Sequence, residues 1–116
     1  MANSRTHMRK AFSSVVAAGS NSQANAVAIP RLPIVFIATV SSTTRGARLP
    51  SIIYNDATGT SDTEQLTVVN LSTTAVKVYP ATSQNIGTAS NNAATTVAGG
   101  ATSIFTASSA TNWRVK

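Results

Sequence analysis

Ile34-Val35-Phe36-Ile37-Ala38-Thr39-Val40 is the stretch on which the fold class turns. Five of these seven side chains branch at Cβ and a sixth is aromatic, a composition that suits a pleated sheet surface better than a helix. Pro30 and Pro33 hold the preceding chain extended, and Ser41 to Gly46 closes the run with turn chemistry. The run is far shorter than the roughly 20 apolar residues that span a bilayer, so it reads as a buried strand and not a membrane segment.

The same period of two continues toward the C-terminus. Glu64 to Leu71 places Leu66, Val68 and Asn70 on one side, and Ala75 to Tyr79 places Val76 and Val78 opposite Lys77 and Tyr79. Asn70 to Thr74 has turn composition, so these two runs are expected to pair as an antiparallel hairpin. Pro80 ends the second run, and Ala81 to Asn92 reads as a loop with a brief β contact near Ile86. Gly99-Gly100 predicts a second hairpin between residues 93–98 and 101–107, with Ile104 and Phe105 on opposite sides of its later strand. Residues 111–115 make a last strand with Trp113 and Val115 on one side. Upstream, Leu49 to Tyr54 is a short strand or edge segment, because Pro50 withholds a ladder hydrogen bond.

Seven or eight such segments predict an all-β domain over residues 29–116: a compact antiparallel β-sandwich or small barrel, jelly-roll-like. A β-solenoid is the competing architecture, and the lack of a fixed period over residues 34–116 argues against it. Residues 1–28, rich in Ala, Ser, Asn and Gln, read as an extended or partly disordered N-terminal arm. Arg9 to Ala18 would become a short helix only under a partner that covers its apolar side.

Composition narrows the function. Ala, Ser and Thr supply 51 of 116 residues, with three Phe, two Tyr and one Trp, so large core-formers are scarce and self-association or docking on a scaffold is expected. There is no cysteine, one histidine (His7) and three acids, Asp56, Asp62 and Glu64. A zinc site lacks ligands, and the acids miss the EF-hand spacing. Gly99-Gly100 carries no P-loop lysine, and nothing fixes a Ser-His-Asp grouping. Neither an enzyme nor a cofactor is expected.

The formal charge is +6 and the pI is near 11.0, yet the first fifty residues hold six bases and no acid while residues 51–113 hold one base and three acids. A positive arm on a nearly neutral body points to an anionic docking surface. Direct nucleic-acid binding is disfavoured, because the folded part offers only Lys77 beside Tyr79 and Arg114 beside Trp113, with no dense patch. Asn70-Leu71-Ser72 fits the glycosylation pattern, which matters only in a secretory pathway.

Taken in order, Leu66-Thr67-Val68-Val69-Asn70, Thr74-Ala75-Val76-Lys77-Val78-Tyr79-Pro80-Ala81, Ile86-Gly87, Ala98-Gly99-Gly100-Ala101-Thr102, Ile104-Phe105 and Ser109-Ala110-Thr111-Asn112-Trp113 resemble small β-rich virion proteins of tailed bacteriophages. They are similar in particular to capsid decoration (cement) proteins and related head-fibre segments, and the resemblance covers residues 64–115. The resemblance implies a structural virion protein on the outer capsid surface, assembled in the host cytoplasm, with the major capsid protein as partner and a dimer or trimer as its own state. On that reading Arg5, Arg9, Lys10, Arg31, Arg45 and Arg48 are shell contacts, and Phe36, Val78, Phe105 and Trp113 are packing or interface anchors. The alternatives are a head-fibre or tail module stacking a receptor or glycan on exposed Tyr54, Tyr79 or Trp113, and a basic nucleic-acid-associated virion protein.

Overall fold

The computed structural model describes residues 13–19, 22–41, 44–52, 54–55, 62–63 and 65–116. These are all-β, with no helix among the described residues. The strands are β1 (Ser13–Ala17), β2 (Val27–Ala28), β3 (Ile34–Thr39), β4 (Gly46–Arg48), β5 (Tyr54–Asn55) and β6 (Asp62–Thr63), followed by β7 (Gln65–Asn70), β8 (Val76–Tyr79), β9 (Asn85–Ile86), β10 (Thr95–Val97), β11 (Thr102–Ala107) and β12 (Asn112–Val115). A six-stranded sheet runs β1-β3-β7-β11-β12-β9, a four-stranded sheet β10-β8-β4-β2, and β5 and β6 form a separate pair.

Neither large sheet closes into a barrel, and neither is purely antiparallel. β1, β3 and β7 run parallel in the larger sheet, and β2, β4 and β8 run parallel in the smaller one. The reason is the path of the chain. β1, β3 and β7 of the larger sheet are each followed by a strand of the smaller sheet, β2, β4 and β8, so these neighbours within a sheet are successive passes in the same direction. Three such turns stack before the chain reverses: β10 and β11 lie antiparallel to β8 and β7, and β12 folds back on β11. The first three turns therefore wind as a flattened solenoid.

Both expected hairpins are corrected by this path. β7 and β8 lie in different sheets, and so do β10 and β11. The connections at 71–75 and 98–101 are crossings between sheets. Residues 13–28 of the expected arm supply β1 and β2, one strand to each sheet, and Ser13–Ala17 is a strand and not a helix.

The faces of the strands follow the expected period of two. Val35 and Ile37 of β3, Leu66 and Val68 of β7, and Phe105 and Ala107 of β11 are buried from the larger sheet; Ala47, Val76, Val78 and Val97 are buried from the smaller one. With Trp113, Leu49, Ile29 and Ile86 they form one cluster between the sheets. Burying these side chains supplies the main favourable term, at about 25 cal/mol per Å² of apolar surface removed from water.

Candidate functional site

Of the six basic residues expected to touch a shell, Arg5, Arg9 and Lys10 lie outside the described residues. The other three bond within the chain. Arg48 is half-buried and its Nη1 donates to the carbonyls of Gln23 and Ala24, each at 3.0 Å, tying the turn before β2 to β4. Arg45 Nε donates to Ser41 Oγ at 2.9 Å, and Arg31 Nη2 donates to the Ser51 carbonyl. Arg48 thus closes the first turn of the winding, while Arg31 and Arg45 remain exposed.

Of the four anchors, Val78, Phe105 and Trp113 are fully buried. Phe36 is not. It alternates with Val35 and Ile37 and sits half-buried on the outer face of the larger sheet. Trp113 has no accessible surface, which removes it as a sugar-stacking platform; Tyr79 is half-buried, and the side chain of Tyr54 lies outside the description. Asn70 is also fully buried with its amide nitrogen bonded inside the protein, so the glycosylation pattern is closed in the folded chain.

The outer face of the larger sheet is the most distinctive surface. Register places Ile34, Thr67 and Ile104 in one row across β3, β7 and β11, and Phe36, Val69 and Thr102 in the next. Ile34 is 38% exposed, and Phe36, Thr67, Val69 and Ile104 are partly so. Lys116 extends the first row, exchanging two backbone hydrogen bonds with Ile104 at 2.9 and 3.1 Å. A third row pairs Gln65 with Thr106 and Thr106 with Arg114. Four apolar side chains are therefore flanked by two cations, and among the described residues no side-chain carboxylate lies in these rows. The outer face of the smaller sheet is different in kind: Arg48 stands opposite Tyr79 and Lys77 opposite Thr96, with exposed Ala28 at the edge strand.

Reading from sequence missed Ile34 and Val69 as surface residues. The available signal was that Ile34 to Ile37 and Leu66 to Val69 are apolar at both parities, apart from Thr67, which marks strands whose two faces both contact something. The sequence places Arg114 only beside Trp113, because its position opposite Thr106 depends on a pairing that local pattern does not specify.

Compared with known protein families, curated proteins and solved structures, the chain matches none of them.

Proposed function

We propose that the chain is a structural virion protein that binds and stabilises an outer capsid shell, seating the outer face of its larger sheet on the major capsid protein. The observation that supports this reading is the pair of apolar rows on that face, Ile34–Ile104 and Phe36–Val69, flanked by Arg114 and Lys116. Apolar side chains that are half-covered in the free chain gain by full burial, and a Phe in such a patch is suited to anchor an interface. Arginine and lysine at the rim favour an acidic partner surface. Repeated copies on one shell, or a dimer or trimer of this chain, would raise the apparent affinity of a modest contact.

Cosedimentation of the chain with capsids of the virus that encodes it tests this. Phe36→Glu puts a charge into the patch and is expected to weaken binding by about tenfold or more, while the melting temperature stays within a few degrees because Phe36 lies outside the core. Ala28→Glu makes the same change on the other sheet's outer face and is expected to leave binding intact. Failure of the unaltered chain to sediment with shells, or equal binding by Phe36→Glu, contradicts the proposal.

A further inference from the structure

Where the outer face of the larger sheet reaches β12 and β9, it opens into a cleft of about 640 Å³ lined by Gly87, Thr88, Thr106, Ser108, Asn112 and Arg114. That volume lies within the range of small-ligand sites, roughly 300–1,000 Å³. One wall is held rigidly. Asn112 Nδ2 donates to the Gly87 carbonyl at 2.9 Å and Asn112 Oδ1 accepts from Ser108 Oγ at 2.7 Å, so the amide braces the loop after β9 against the β11–β12 turn. Gly87 has φ 61°, and a Cβ there would meet nothing within 4 Å, so the space above it is open.

Among the lining side chains, the Arg114 guanidinium and the hydroxyls of Thr106 and Thr88 can donate into the cleft. The Gly87 carbonyl is engaged by Asn112, and the Ser108 hydroxyl proton is committed to the same side chain. Thr106 Oγ1 accepts from Gln65 Nε2 at 3.3 Å, which leaves its own proton free to point outward. Arg114 is exposed, stands opposite Thr106 in the ladder, and makes no hydrogen bond to another described residue through its side chain. Among the described residues, no side-chain carboxylate lines the cleft.

We propose that this cleft binds a carboxylate, with the Arg114 guanidinium pairing with it through two parallel N–H donors and the hydroxyls of Thr106 and Thr88 donating to the remaining lone pairs. A single cation matches a single negative charge, and a planar fork matches a planar carboxylate; a phosphate dianion would be left half-neutralised. The cleft would take such a ligand in the isolated chain, whether or not the chain docks on a shell.

The test is an NMR titration of the isotope-labelled full chain at constant ionic strength with N-acetylglutamate α-amide, glucuronate and inorganic phosphate. The expected result is a saturable shift of the Gly87, Thr88 and Thr106 amides and of Arg114 Nε with the carboxylates, with phosphate binding more weakly. Arg114→Gln is expected to lower the affinity about tenfold, Thr106→Val by a smaller factor, and Arg45→Gln not at all. Tighter binding of the glutamate derivative would assign the natural ligand to a protein, and tighter binding of glucuronate to a glycan; both support a carboxylate site. Absence of a saturable shift, unchanged binding by Arg114→Gln, or phosphate binding more tightly than both carboxylates overturns it.

Discussion

Asn70→Ala is expected to destabilise the protein by about 3 kcal/mol or more, seen as a fall in melting temperature of roughly 10 °C. Asn70 ends β7 with its side chain turned into the core, where it is fully buried. Its Nδ2 donates to the carbonyls of Thr74 at 2.8 Å, Val97 at 3.2 Å and Ala98 at 3.3 Å, and its Oδ1 accepts from Ser72 N at 3.1 Å and Ser72 Oγ at 2.8 Å. The backbone takes part as well, since Asn70 N donates to Ala101 O and Gly100 N to Asn70 O. One side chain thus satisfies the turn that leaves β7 and the crossing that joins β10 to β11. Truncation removes all of these bonds at once and takes its side-chain donor from the buried Val97 carbonyl, leaving Ser72 Oγ and Ala101 N to serve the Thr74 and Ala98 carbonyls, and a buried polar group left without its partner costs more than the bond contributes. Asn70→Asp sharpens the measurement. An ionised carboxylate only accepts, so it would face the three carbonyls; the loss is expected to be at least as large at neutral pH and to shrink as the pH falls and the acid gains a proton to donate.

Gly99→Ala is expected to be equally damaging, by about 3 kcal/mol or more, in the same thermal melt. A Cβ at Gly99 would lie 2.4 Å from both C and O of Thr73 and 2.9 Å from Thr74 N. These are backbone atoms of the β7–β8 connection, which Asn70 and Ser72 hold in place, so they cannot move aside cheaply. The next residue isolates the cause. Gly100 has φ 77° with nothing within 4 Å of its would-be Cβ, so Gly100→Ala meets only backbone strain, about 1–2 kcal/mol. A larger loss at Gly100 than at Gly99 would show that the two connections are not in contact. Because Asn70 and Gly99 serve one junction, the double substitution is expected to cost less than the two losses added.

That junction shows what could be read from the residues and what could not. Period two gave the buried face correctly at Leu66, Val68 and Asn70, at Val76 and Val78, and at Phe105 against Ile104. It is silent about which strand lies alongside. A hairpin and a crossing between sheets both need a short polar connection containing Gly, Asn or Ser, so 71–75 and 98–101 read as hairpins. What separates them physically is the inward Asn70 amide, which serves carbonyls from two connections at once. The stacking was hidden differently. Ser13 pairs with Ile34, 21 residues on, but Ile34 pairs with Thr67, 33 residues on, because the segment carrying β5 and β6 is inserted in the second turn. No constant spacing survives that insertion.

Charge was the least legible part of the candidate surface. Arg31, Arg45 and Arg48 look equivalent in a basic, acid-free stretch, yet all three donate to oxygens of their own chain, and Arg48 does so from a half-buried position. Arg114 and Lys116, close to the end of the sequence, instead flank the apolar rows. Their significance depends on the pairing of β11 with the final strand, a long-range fact.

The most direct measurement of the proposed capsid role is single-particle cryo-electron microscopy of tailed-bacteriophage capsids incubated with the chain. The expected result is ordered density on the outer shell in which the larger sheet faces the capsid protein, with Ile34, Phe36, Val69 and Ile104 in the contact and Arg114 or Lys116 beside acidic residues of the shell. Undecorated shells, or a chain seated through the outer face of the smaller sheet around Lys77 and Tyr79, would contradict it.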